Sequence, residues 1–119
     1  MLNLDTHMLI YAMSGDLSSA ERKVLRRDRW AISAIVLWEL SKLQSLGRVT
    51  VEFDSIEFSR VLGQVEVLPL SLEICRKSTE LDFRSDPADE IIAATSLVHG
   101  IPLLTRDLKI RKSKLVKFG

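Results

Sequence analysis

Cysteine is nearly absent from this sequence. Cys75 stands alone, so no internal disulfide can form. His7 and His99 are the only histidines, and with a single thiol they give no Cys/His cluster at zinc-ligand spacing. No apolar run approaches the roughly 20 residues that span a bilayer. The opening MLNLDTHMLIYAM is apolar, but it lacks a basic leader and is interrupted by Asp5 and His7. It reads as a buried strand running into a helix rather than as a signal peptide. Five glycines and three prolines leave no flexible linker, and no charge block, low-complexity stretch or repeat divides the chain. The expectation is a single domain over residues 1–119, cytoplasmic and with no membrane attachment.

Charge of one sign is also missing. Seventeen basic residues against sixteen acids leave a formal net charge of +1, so composition does not announce a nucleic-acid binder. The distribution says more. Residues 106–119 carry six basic side chains and one acid, and residues 21–29 carry five and two. Such patches are most often solvated faces.

What is present is an alternation of short apolar runs with helical patterns. Residues 1–4, 30–32, 65–68 and 101–105 read as strands, with 116–118 as a final edge strand. Helices are expected over 6–13 and from Ser18-Ser19 to about Arg27. Others follow from Ala34 to Leu46, from Asp54 to Leu62 with Asp54 as cap, and from Ser71 to about Leu81. Asp86-Pro87-Ala88-Asp89 supplies a cap, a proline at the first helical position and an acid in the first turn of a helix ending at Gly100. The pattern predicts an α/β fold of three layers: a central, mostly parallel sheet of about five strands with helices on both faces.

Four acids draw attention in that frame. Asp5 and Asp107 each lie just past the carboxyl end of a predicted strand, the edge at which open α/β sheets bind ligands. Glu39 lies on the helix after the second strand, among Ile35, Val36, Leu37, Trp38 and Leu40, where a carboxylate needs a partner. Asp89 lies in the first turn of its helix. Each has an ordinary structural explanation: Asp5 and Asp107 as caps, Asp89 as a complement to the helix dipole, Glu39 as a surface glutamate. Asp86 is explained better as a cap than as a ligand. Trp30 and Trp38 are expected in the core rather than at an interface.

Carboxylates gathered at one sheet edge repel one another and need a cation or bound protons. Magnesium or manganese suits an all-oxygen set and keeps several waters. Such a metal lowers the pKa of bound water and offsets charge on a leaving oxygen, which is the chemistry of phosphodiester hydrolysis. No serine, cysteine or histidine nucleophile is then required. Basic residues near the cleft would hold the polyanion, and Arg106 is the candidate contact to it.

Three blocks now stand in order: LNLDTHMLIYA, SAIVLWELSKLQSLGRV and DPADEIIAATSLVHGIPLLTRD. Together they resemble a PIN domain, specifically a VapC-type toxin ribonuclease, over nearly the whole chain. The resemblance implies that Asp5, Glu39, Asp89 and Asp107 form an acidic quartet, with Asp5, Asp89 and Asp107 as metal ligands. It matches Asp86 to an extra acid of one common branch, and Thr6 and Thr105 to hydroxyl positions beside the first and last acids. It implies magnesium or manganese as cofactor, RNA as substrate, a cognate VapB-like antitoxin as partner and a homodimer. Glu90 and Arg84 depart from the family's pattern, in which many relatives carry arginine and histidine there. Three other readings compete. A housekeeping RNA-processing nuclease uses the same fold. A phosphatase working through an aspartyl-phosphate usually carries a second acid two residues after the first, where His7 stands here. A non-catalytic binding module would have lost one of the acids, and none is missing.

Overall fold

The computed structural model describes all residues 1–119. Its elements run β1 (Leu2–Leu4), α1 (Thr6–Ser14), α2 (Ser19–Arg27), β2 (Trp30–Ser33), α3 (Ala34–Ser45), α4 (Ile56–Gly63), β3 (Val65–Leu68), α5 (Leu72–Lys77), α6 (Pro87–His99), β4 (Leu103–Leu104) and α7 (Leu108–Arg111). The strands form one parallel sheet in the order β3-β2-β1-β4. The expected fifth strand is reduced to an isolated parallel bridge between Leu103 and Phe118. The chain steps from β1 to β2 to β3 in one direction, then returns past β1 to β4. Helix α6, in the crossover that follows β3, packs against both β2 and α3. The switch in direction falls between β1 and β4, where such sheets open a crevice at their carboxyl ends.

Local chemistry explains most helix limits. Ser18 accepts the Glu21 amide while the Glu21 side chain accepts the Ser18 amide, a complete capping box for α2. Gly15 and Gly100 close α1 and α6 in the left-handed region, at φ 81° and 65°, a conformation glycine adopts without steric penalty. Two expected limits are corrected. Helix α4 is capped by Ser55, whose hydroxyl accepts the Phe58 amide, and not by Asp54. Helix α5 stops at Lys77 rather than near Leu81, because the Ser78 and Thr79 hydroxyls turn back onto the Cys75 and Arg76 carbonyls.

The core joins both faces. Leu2, Leu4, Ile32 and Leu103 of the sheet pack with Met8 and Leu9 of α1, Val36 and Leu40 of α3, and Ile92 and Ala93 of α6. Asn3 is fully buried in this layer, and its amide donates to the Ile92 carbonyl at 3.1 Å and to Ser96 Oγ at 2.9 Å. It thereby ties the strand that leads to Asp5 to the helix that carries Asp89. Trp30 is half-buried with its indole N–H on the Leu25 carbonyl at 2.9 Å. Trp38 is not a core residue as expected. It is 55% exposed, and the Lys42 ammonium lies 5.7 Å from its ring centre. No helix is long and apolar enough to cross a membrane.

Candidate active site

All four quartet positions line one open cavity of about 410 Å³ at the carboxyl edge of the sheet. Asp5, Glu39, Asp86, Asp89 and Asp107 supply its acids, and His7, Tyr11 and Arg106 stand among them. Asp5 follows β1 and Asp107 follows β4, so the two emerge on either side of the switch point. Glu39 comes from the middle of α3 and Asp89 from the first turn of α6.

The bland and the functional explanations coincide at two acids. Asp5 caps α1, its Oδ1 accepting the Met8 amide at 2.8 Å, while its Oδ2 accepts the Thr105 hydroxyl at 2.5 Å. Asp107 caps α7 through Oδ1 alone, which accepts the Lys109 and Ile110 amides at 2.8 and 3.2 Å. Thr105 also accepts the Asp107 amide at 3.0 Å, so one hydroxyl links the first and last acids. Glu39 finds the partner its apolar neighbours demand in Thr6, whose hydroxyl donates to Oε1 in a short hydrogen bond. Asp86 occupies the cap position of α6, but its side chain makes no cap hydrogen bond, so the capping explanation is corrected. It stands exposed and lines the cavity. Glu90 turns toward Ser85, its Oε2 accepting the Ser85 amide at 3.2 Å, and Arg84 is exposed.

Three of the acids hold their protons more tightly than ordinary carboxylates. Burial raises the pKa of Asp5 first, and Asp107 adds to the rise, against the opposing hydrogen bonds from Thr105 and Met8. Burial likewise raises Glu39, with Asp89 and Asp5 adding to it while Thr6 opposes. Asp89 is raised by burial, then by Asp107, Asp86 and Asp5, against the Ser85 hydroxyl. Burial leads in each case, and repulsion among the acids adds to it.

The donor chemistry fits a hard divalent cation. Every convergent ligand is a carboxylate oxygen, which suits magnesium or manganese. The sole imidazole in the lining is His7, and Cys75 lies on α5 outside the cavity, so zinc is not served. No three of these groups already form a closed ligand cage. Water would complete much of the shell, as is usual for magnesium.

Ser85, Glu21, His7 and Tyr11 belong to this site and escaped the sequence reading. Ser85 donates to Asp89 Oδ2 at 2.9 Å, one helical turn ahead of it, and that spacing was the available signal. Glu21 lies 85 residues from its partner Arg106, a separation no local pattern reveals. A second cavity, of about 250 Å³, lies between α1 and α4. It is lined by Ile10, Met13, Val51, Phe58 and Val61, and brings together none of the quartet acids.

Comparison with known proteins agrees with this architecture. The PIN domain family model matches residues 3–114, and the chain belongs to that family. The ribonuclease VapC22 of Mycobacterium tuberculosis is 27% identical over 117 residues, covering 93% of this chain and 90% of that protein. Two solved structures share the fold. A toxin-antitoxin complex from Klebsiella pneumoniae superposes with a TM-score of 0.67 at 23% identity, covering 92% of this chain and 88% of that one. VapBC2 from Rickettsia felis, bound to a DNA fragment from its promoter, gives a TM-score of 0.69 at 19% identity, covering 100% and 98%.

Proposed function

We propose that this chain is a metal-dependent endoribonuclease and the toxin of a toxin–antitoxin pair. The observation that carries the reading is the convergence of five carboxylates on one crevice whose single arginine is already paired to Glu21. The relative named as a ribonuclease and the neighbours named as toxin–antitoxin complexes support it. Asp5, Asp89 and Asp107 would hold magnesium or manganese. When bound, the metal activates water for attack on the phosphodiester and offsets charge on the leaving oxygen.

The chain's own residues have distinct tasks in this reading. Thr105 and the Met8 amide fix both oxygens of Asp5, so its orientation is set before substrate arrives. Ser85 does the same for Asp89. Glu39, half-buried and held by Thr6, is the acid placed to orient water and accept a proton. An RNA phosphate would enter a crevice whose acids it cannot approach without the cation, which couples substrate binding to metal binding. A VapB-like antitoxin would act by covering this opening, and the toxin would work as a homodimer.

The test is cleavage of a single-stranded RNA with magnesium, with manganese, with chelator and with Asp5→Asn. Cleavage that needs the metal and Asp5 is expected. Equal cleavage in chelator would overturn the metal mechanism. The toxin role predicts growth arrest on expression, relieved by a co-expressed antitoxin. A housekeeping nuclease would be tolerated without one.

A further inference from the structure

Arg106 lines the acid cavity, yet its charge is committed elsewhere. Its Nε donates to Glu21 Oε2 at 2.8 Å, and its Nη2 donates to Glu21 Oε1 at 2.7 Å and to the Asp16 carbonyl at 2.8 Å. The guanidinium also stacks on Tyr11, 4.0 Å from the ring centre. Glu21 is itself fixed by the α2 capping box, since its Oε1 accepts the Ser18 amide at 2.8 Å. The Arg106 side chain is thus anchored to α1, to the α1–α2 turn and to the first turn of α2.

The two ionised groups support each other. Hydrogen bonding to Arg106 holds the Glu21 carboxyl down at about 2, and Glu21 raises the arginine in turn. A forked, two-bond pair of this kind has a fixed geometry as well as an attraction. What it fixes is the chain between two functional positions. Thr105, immediately before, donates to Asp5 and accepts the Asp107 amide. Asp107, immediately after, is the last acid of the crevice. The Thr105 carbonyl is tied down too, accepting Arg111 Nη1 at 3.1 Å.

We infer that Glu21 and Arg106 act as a positioning pair, clamping the segment between Thr105 and Asp107 against α1 and α2, and that Arg106 does not contact the RNA phosphate. The kinetic part of this inference rests on the ribonuclease reading; the structural part does not. Backbone amide exchange tests the structural part without RNA or activity. Arg106→Ala and Glu21→Gln should each speed exchange at Asp107, Lys109 and Ile110, with α6 amides unchanged. Unaltered exchange at those three amides overturns the clamp.

Kinetics and binding test the rest. Displacing one acid should lower kcat about tenfold or more with KM for RNA unchanged. The two single variants and the double variant should lose the same factor. Arg106→Lys, which lacks the fork, should not restore it. In an Asp89→Asn background, Arg106→Ala should leave the salt dependence of RNA binding intact. A direct phosphate contact predicts the reverse: the slope drops by about 1, KM rises, and Glu21→Gln releases the arginine and tightens RNA binding. That pattern overturns the inference even where exchange responds. A wild type that cuts no RNA overturns the ribonuclease reading alone, and amide exchange then decides the clamp.

Discussion

Asp5 and Glu39 are sunk into the crevice, each holding a threonine hydroxyl, whereas Asp86 and Asp107 stand exposed. The buried pair sits where the charged form of a carboxyl is disfavoured. Burial raises both carboxyls, and each is raised further by neighbouring acids. The exposed pair is held differently: Asp107 accepts two backbone amides, and Asp86 makes no cap bond at all. The comparison separates a buried floor, Asp5 and Glu39, from an exposed rim, of which Asp107 still belongs to the proposed ligand set.

The sharpest way to break this comparison is Asp5→Asn. Asparagine caps a helix as well as aspartate, so α1 should keep its start. RNA cleavage should fall by about a thousandfold, the upper range for removing one group that stabilises a transition state. The melting temperature of the metal-free protein at neutral pH should rise. A large loss of fold would show that Asp5 is structural first. Asp89→Asn should behave alike.

Thr105→Val comes next. It keeps the shape of the side chain and removes the hydroxyl that orients Asp5 and accepts the Asp107 amide. Activity should fall about 10- to 100-fold, as for other supporting partners of metal ligands. Urea unfolding should show a loss of about 1–3 kcal/mol from the buried groups left unpaired.

The pH dependence of stability should separate the buried acids from Glu21 by sign. Asp5, Glu39 and Asp89 have raised pKa values, so the folded state binds their protons more tightly than the unfolded chain. Their contribution favours the fold at low pH and is lost as pH rises through the folded values. Glu21 is lowered from 4.5 to about 2, so its contribution is present above 4.5 and lost as pH falls toward 2. Melts of the metal-free protein against pH should therefore show Glu21→Gln less stable than wild type at neutral pH, converging on it near pH 2. Asp89→Asn should be more stable at neutral pH, converging on wild type in acid.

The smallest effect should come from Asp86→Ala. An exposed side chain with no cap bond should change stability by no more than about 0.5 kcal/mol. Cleavage should change only a few-fold. A loss matching that of Asp89→Asn would place Asp86 among the proposed ligands, beside the other exposed acid, Asp107.

Sequence patterns anticipated the fold where local chemistry sets it. The capping box at Ser18, the glycines at 15 and 100 and the proline after Asp86 mark helix ends that tertiary contacts did not move. They misled where two neighbours offer the same chemistry, as Asp54 and Ser55 do, or where hydroxyls end a helix early, as Ser78 and Thr79 do. Glu39 was legible because an acid among apolar neighbours needs a partner, and Thr6 supplied it. Arg106 looked like a free cation beside an acid. Its real partner arrives from α2, and distance along the chain hides such pairings. Trp38 shows the limit of hydrophobicity as a guide, since a helix face can carry a tryptophan outward beneath a lysine.

The bond between Thr105 and Asp5 spans 100 residues of chain. A ribosome delivers the N-terminal side first, so β1, α1 and α3 emerge while β4 is still unmade. Until β4 and the residues after it leave the ribosome and slot beside β1, Asp5 lacks both the Thr105 hydroxyl and Asp107. A chain stalled or clipped before β4 therefore carries an unarmed crevice.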